Sequence, residues 1–324
     1  MRRIIGLILA GLGGFFLVLA LLLRFYVAGQ VIKFPQNEYQ IATLHADNAR
    51  YFSAAQLREL SGITITATNT LRGDVEAGSS STAVWDEFTA VKDVTNNVNF
   101  DYTLLRGPFD RRSGVLTNCC GARLNNKSVH MSGQGFVWPF GAQKQTYMVF
   151  DTTLARSMPA TYTGTATVDG LQTYRYVENV APTQSGTQTL PGAFVGMKDQ
   201  SSVTLPEYYQ SVNTFWVDPV TGGPVNVEER ETLTLRDNSG IPRLVLYQAD
   251  LKFTPQSIKS FVDSDRNGKN KITLLTSILP LILLLAGLVL LAVGIVLSVL
   301  GRRSAEESVG EEGFQPHDQG LAPH

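Results

Sequence analysis

The sequence predicts a mainly β fold, an antiparallel sandwich or barrel-like domain flanked by two transmembrane helices. Three observations carry that expectation. Two uncharged apolar runs, 4–23 and 272–300, lie near the two ends of the 324-residue chain. Between them apolar residues recur at every second position, the period of a strand. Turn-forming Gly, Pro, Asn and Asp separate these stretches at intervals of roughly 8–12 residues. Charged residues make up 17% of the chain, against about 25% in soluble domains, and the two apolar runs hold the deficit. The pattern excludes a soluble cytosolic enzyme and a multispanning transporter. A formal net charge of −1 and only two cysteines also exclude a basic nucleic-acid binder and a disulfide-stapled small domain.

The first run has 20 residues, about 30 Å of helix and therefore one hydrocarbon core. Arg2 and Arg3 precede it and Arg24 follows. Val27-Ala28-Gly29 would suit a signal-peptide cleavage, but a signal core runs only about 7–15 residues. Residues 1–27 are therefore expected to be a retained anchor. Residues 272–301 hold the second helix, closed by Arg302 and Arg303, with Pro280 in its first turns where a missing N–H matters least. Two spans put both termini on one side. Arg2, Arg3, Arg302 and Arg303 favour the cytoplasm, which makes residues 28–271 an extracytoplasmic domain. The acidic stretch 302–324, rich in Glu and Gly, is expected to be a disordered cytoplasmic tail. Gly6, Ala10 and Gly14 recur every four residues on one face of the first helix, and Gly287 and Gly294 can face them. Small residues let two helix backbones approach closely in a membrane. The helices can pair within one chain or between copies, so a homo-oligomer is a candidate.

Within the domain, Ser53 followed by Gln56 and closed by Gly62 predicts a short helix over 53–60. From Ile63 the period is two, and 84–91, 98–105, 147–153, 160–168 and 172–180 read as further strands. Asp169-Gly170 predicts a tight hairpin. Residues 215–217 and 224–235 make a second hairpin around Asp218-Pro219-Val220-Thr221-Gly222-Gly223, and Asp237-Asn238-Ser239-Gly240 turns into 243–253. Thr254-Pro255 starts a helix over 257–262.

Val137-Trp138-Pro139-Phe140-Gly141-Ala142-Gln143-Lys144-Gln145-Thr146-Tyr147 with Phe150-Asp151, and the later Asp218-Pro219-Val220-Thr221-Gly222 turn, resemble an actinobacterial envelope family, the PorA-like porins. The two-anchor layout matches as well. The resemblance implies a porin-like channel and brings no catalytic residue with it. The helix–domain–helix plan is also similar to class B scavenger receptors, whose domain carries a lipid tunnel, a likeness of architecture only.

Candidate sites follow from residue types. Cys119 and Cys120 are adjacent and without other partners. A vicinal disulfide, two buried thiols and an intermolecular bridge all stand open, the vicinal bond being the disulfide candidate. Asp263-Ser264-Asp265-Arg266-Asn267-Gly268 imitates half of a calcium loop, but its twelfth position is Leu274, so a hydrated juxtamembrane linker is the better expectation. Arg106, Arg111, Arg112 and Arg123 surround the cysteine pair. They read as a solvated loop in preference to an anion site. His45 and His130 lack the nucleophile or metal-ligand pattern that would give them chemistry. No enzyme, cofactor or metal is expected. The expected function is that of a double-anchored envelope protein whose domain binds an apolar or lipid-like ligand through aromatics such as Trp138, Phe140, Tyr147 and Trp216. Membrane lipid is then its partner and nucleic acid is not. An oligomeric porin-like channel and a scaffold for another envelope protein are the alternatives.

Overall fold

The computed structural model describes residues 2–311, and the chain divides into a sheet unit, 33–269, and a helical unit made from its two ends. In the sheet unit the strands are β1 (Tyr39–Ser53), β2 (Arg58–Gly73), β3 (Thr82–Asp93), β4 (Val98–Asp110), β5 (Arg123–Leu124), β6 (Lys127–Ser128), β7 (Tyr147–Asp151), β8 (Arg156–Val168), β9 (Leu171–Leu190), β10 (Val203–Val217), β11 (Pro224–Arg236) and β12 (Pro242–Phe253). They form one antiparallel sheet in the order β6-β5-β4-β3-β2-β1-β12-β11-β10-β9-β8-β7. The ladder itself is open. Isolated bridges tie Gln134 to Val115 on the β4 side and to Val149 of β7 on the other, so a loop spans the gap between the outer regions of the sheet. The expected mainly β, antiparallel sandwich or barrel-like domain is a single curled antiparallel sheet.

Alternation fixes what each face carries. Along β1 and β2 the inner face holds Leu44, Ala46, Tyr51, Ile63, Ile65 and Ala67, which form one buried cluster with Leu251. The opposite face of β2 carries Thr64, Thr66, Thr68 and Thr70. β11 sets Glu228, Arg230, Thr232 and Arg236 at its outer positions. An outer face of threonine and charge is wetted, unlike the apolar band of a membrane β-barrel.

The stretch 53–60 is a hairpin connection between β1 and β2, not a helix. Ser53 does accept from a backbone N–H, that of Gln56 at 3.2 Å, but the turn passes through Leu57 at φ 51° and reverses the chain. A short Ser-capped turn has the same local signature as a helix start, and strand pairing of Tyr51 with Leu60 decides between them. Helix α3 is longer than expected, Pro255–Thr273, after the short α2 (Ala28–Val31) of the helical unit. Ser257 fastens its start by donating to the Thr43 carbonyl at 3.1 Å, and Val262 is fully buried against Leu171 and Val225.

The helical unit pairs α1 (Arg2–Leu22) with α4 (Leu279–Glu311). Gly6 and Gly13 lie against the α4 backbone, and Gly287 and Gly294 lie against α1. A Cβ at Gly14 would meet open space, so Gly13 takes the place expected of it. The contact face runs Gly6, Ala10, Gly13 and Leu17, spaced four and three, because a straight stripe of fours drifts around a 3.6-residue helix. Large side chains point the other way: Ile4, Leu7, Phe15, Leu281, Leu285 and Val289 are exposed. Small residues inside and large apolar ones outside is the inverse of a soluble helix pair and is the arrangement that suits lipid. The helix extends through Glu311. Ala305, Glu306 and Glu307 are good helix formers. The remainder of the tail lies outside the described residues.

Candidate functional site

The two motif stretches meet. The Trp138 N–H donates to the Gly222 carbonyl at 2.8 Å, and the Gly141 N–H to Val220 at 3.2 Å. Gly222 has φ 78° and faces the Trp138 carbonyl so closely that no side chain fits there. The turn is closed by the Gly222 N–H donating to the Asp218 carbonyl at 2.9 Å. Helix α3 locks onto the same turn. Thr221 donates to Asp265, and Lys269 pairs with the fully buried Asp218 at 3.2 Å. Burial, with Asp218 alongside, raises the Asp265 pKa. The calcium-like residues are thus neither a loop nor a hydrated linker: a helix carries them, and Asp265 faces the hairpin.

The curled sheet also forms a partly open cavity of about 760 Å³. At roughly 30 Å³ per molecule that is room for about 25 waters. Its wall is mixed: Phe100, Phe136, Phe150, Phe215 and Tyr247 are among many apolar residues that line it beside polar ones. Seven carboxylates line it, Glu87, Asp101, Asp151, Glu178, Glu207, Glu229 and Glu231, and no Lys, Arg or His does. The strands put them there by alternation. Asn213 of β10 lies opposite Glu178 of β9 and opposite Glu229 of β11, so all three share the inner face. Asn213 donates to Glu178 at 3.0 Å, and Tyr209 donates to Glu231 at 2.8 Å. Glu178 is 1% exposed. Burial in a low-dielectric wall disfavours the charged form. It pushes Glu178 up to about 7, with repulsion from Asp151 adding to the shift, and Glu87 likewise to about 7. Burial also raises Glu229 and Glu231, and neither ionises without repelling the other. The same burial raises Asp151.

The aromatics expected to line an apolar site are mostly structural. Trp138, 2% exposed, does reach the cavity wall, but it also stacks on Tyr176 with ring centres 5.7 Å apart. Phe140 stacks on Phe34 at 4.2 Å, Tyr147 packs edge-on against Tyr176 at 5.6 Å, and Trp216 packs against the α3 cluster. None of these last three lines the cavity. Two of the arginines near the cysteines are held within the fold as well. Arg106 holds Asp74 and Asp86, each at 2.6 Å, and Arg111 donates to the Phe34 carbonyl at 2.7 Å. Cys119 and Cys120 are joined to each other in an exposed turn, with Cys120 at φ 55°. No group of three metal-ligating side chains stands at metal-binding spacing among the described residues.

Sequence reasoning passed over the cavity carboxylates. A signal was present in β11: Val225, Val227, Glu229, Glu231, Leu233 and Leu235 occupy alternate positions. Two acids in the middle of an apolar inner row mark a polar interior.

Together these features define a helix-anchored membrane protein with a β-rich domain built around an acidic cavity. The family model described as Porin PorA matches residues 5–296, nearly the whole chain, and the chain belongs to that family. It is similar to the protein named Porin PorA from Corynebacterium amycolatum, at 27% identity over 30% of this chain and 32% of that protein. The match therefore spans about a third of that relative's length.

Proposed function

We propose that the protein is a porin-like component of the cell envelope whose sheet domain takes up cations and polar solutes through a water-filled, acid-lined cavity. One observation carries this reading: seven carboxylates and no basic side chain line the cavity. An apolar ligand would leave unpaired those of the acids that are ionised, a cost of several kcal/mol per ionised group. A hydrated cation meets no such penalty, and like-signed walls concentrate it. The family membership supports the channel reading over the lipid-binding one. Two helices are too few to enclose a pore, so conduction runs through the sheet domain or through an oligomer formed by the outward faces of the helix pair. Arg2, Arg3, Arg302 and Arg303 favour a cytoplasmic position for both ends, with the sheet domain outside. The role is passage, not catalysis.

The test is conductance of the detergent-extracted, full-length protein in a planar lipid bilayer. Discrete current steps are expected. Their absence in a protein that copurifies with stoichiometric lipid would restore the apolar-ligand reading.

A further inference from the structure

Helix α3 is held along its length by two kinds of chemistry. In its first half Ser257 donates to the Thr43 carbonyl, and Val262 is buried against Leu171 and Val225. Its second half rests on polar groups. Asp265 and Lys269 are four residues apart and so share a face. Both reach the turn 218–223, and Gly268 lies over the Thr221 methyl. Asp218 is fully buried. Its Oδ1 accepts from the Val220 N–H at 2.6 Å and its Oδ2 from the Lys269 ammonium at 3.2 Å, a donor set that suits a carboxylate. Asp265 accepts from Thr221 through Oδ1, while its Oδ2 is buried with no donor to accept from. The Asp218 side chain stands within hydrogen-bonding reach of it. Two buried carboxylates side by side are unfavourable through both desolvation and repulsion. One proton relieves both: it makes Asp265 a neutral acid that donates to Asp218, and the one ammonium of Lys269 balances the one charge left.

We propose that Asp265 and Asp218 share a proton, and that this proton is a pH-sensitive latch fastening the second half of α3 to the turn. Helix α3 continues through 274–278 into α4, so the latch sits on the stretch of chain that joins the sheet domain to its C-terminal helix. It works whether or not solutes cross the cavity. The other charges nearby have partners of their own. Asp263 pairs with Lys259 at 2.9 Å and with Arg266 at 3.8 Å, and Arg266 donates to the Asp169 carbonyl of the β8–β9 turn. Burial, with repulsion from Asp218 adding to it, pushes Asp265 from 3.8 up to about 8, against the pull of Thr221 and Lys269. Off the turn the same acid gives up its proton near its ordinary value. Docking is therefore complete below pH 3.8 and weakens as pH rises towards 8, by up to about tenfold per unit. It levels off above that, once the docked acid has lost its proton to solvent.

The test is hydrogen exchange, read by mass spectrometry, on the full-length protein in detergent between pH 6 and pH 9. Each rate is corrected for intrinsic exchange at that pH. Protection of the amides of 263–271, relative to those of β1 and β2, is expected to fall at least tenfold across the range. Asp265→Asn puts an amide where the protonated acid stood, accepting from Thr221 and donating to Asp218. Its protection is expected to stay constant with pH and to exceed wild type at least tenfold at pH 9. Asp265→Ala has neither donor nor acceptor and is expected to show low protection at every pH. Wild-type protection indifferent to pH overturns the latch. So does an Asp265→Asn protein that keeps the wild-type fall or is less protected than wild type at pH 9, and so does Asp265→Ala protected as well as Asp265→Asn.

Discussion

The two walls of the curled sheet share one geometry and differ in what they turn inward. On β1 and β2 the inner positions include Leu44, Ala46, Tyr51, Ile63, Ile65 and Ala67, one buried apolar cluster, with Asn69 as the neutral polar residue that follows them on the cavity wall. On β9 to β11 the equivalent positions include Glu178, Asn213, Glu229 and Glu231. Both rows obey the same two-residue period. The first wall lowers the free energy of the fold by removing apolar area from water, at about 25 cal/mol per Å². The second opposes folding, since its carboxylates are held where ionisation is unfavourable. A fold that keeps such a wall carries it for what the cavity does, and the packed wall supplies the stability to tolerate it.

The contrast is broken most directly by moving a charge to the wrong wall. Ile65 is fully buried, and Ile65→Asp is expected to destabilise by about 4 kcal/mol or more. That lowers Tm by roughly 8–16 °C in a domain of this size or abolishes folded protein, as thermal circular dichroism in detergent would record. A Tm within a few degrees of wild type would mean that the two walls are equivalent.

The second effect is a pH dependence of the acidic wall. Burial raises the folded pKa of Glu178 from 4.5 to about 7. Between those values the folded state keeps a proton that the unfolded chain releases. Stability from this group is therefore complete below pH 4.5, falls as pH rises towards 7 and levels off above it. Glu87 acts in the same direction over the same window. At about 1.4 kcal/mol per unit, Glu178 alone changes stability by up to ~3 kcal/mol. Tm is expected to drop from pH 5 to pH 8, and Glu178→Gln to flatten the drop and raise Tm at pH 8. A Tm that climbs with pH, or a Glu178→Gln protein less stable than wild type at pH 8, would contradict the assignment.

A third acidic group sharpens the comparison because it has its own cation. Asp218 pairs with Lys269, and Thr221 donates to Asp265. Thr221→Val leaves the Asp265 carboxylate without its donor and is expected to cost about 1–3 kcal/mol. Protection of α3 amides from hydrogen exchange is expected to fall, while the amides of β1 and β2 are unaffected. Uniform loss across the sheet would show that the turn does not fasten α3 specifically.

The smallest effect belongs to the cysteine pair. A bond between neighbours closes almost no chain, so it restricts the unfolded state little. Cys119→Ser with Cys120→Ser is expected to shift stability by less than about 1 kcal/mol. Intact-mass analysis with alkylation is expected to find no free thiol before reduction and two afterwards. Two alkylated thiols without reductant would show the pair to be reduced in solution.

Much of the fold was legible because period and turn chemistry are local. Thr64 to Thr70 alternate with buried residues, and Asp169-Gly170 turns tightly at φ 47° and 79°, as its sequence requires. The helix pair was legible in part: Gly6, Ala10, Gly287 and Gly294 pack together, while Gly13 displaced Gly14 because small-residue spacing alone does not fix helix rotation. The stretch 53–60 misled because a capped turn and a helix start look alike until Tyr51 meets Leu60. The cavity was hidden for a different reason. Glu178, Asn213 and Glu229 are distant in sequence and become one site only through strand order and register.

The central claim is that an acidic, water-filled cavity serves the passage of cations. Its most direct test is the reversal potential of the full-length protein in a planar bilayer under a potassium chloride gradient. Cation selectivity is expected at pH 8, reduced in Glu178→Gln and Glu229→Gln and reduced in wild type at pH 5, where the wall is protonated. Anion selectivity, or selectivity indifferent to both substitutions and to pH, would contradict it.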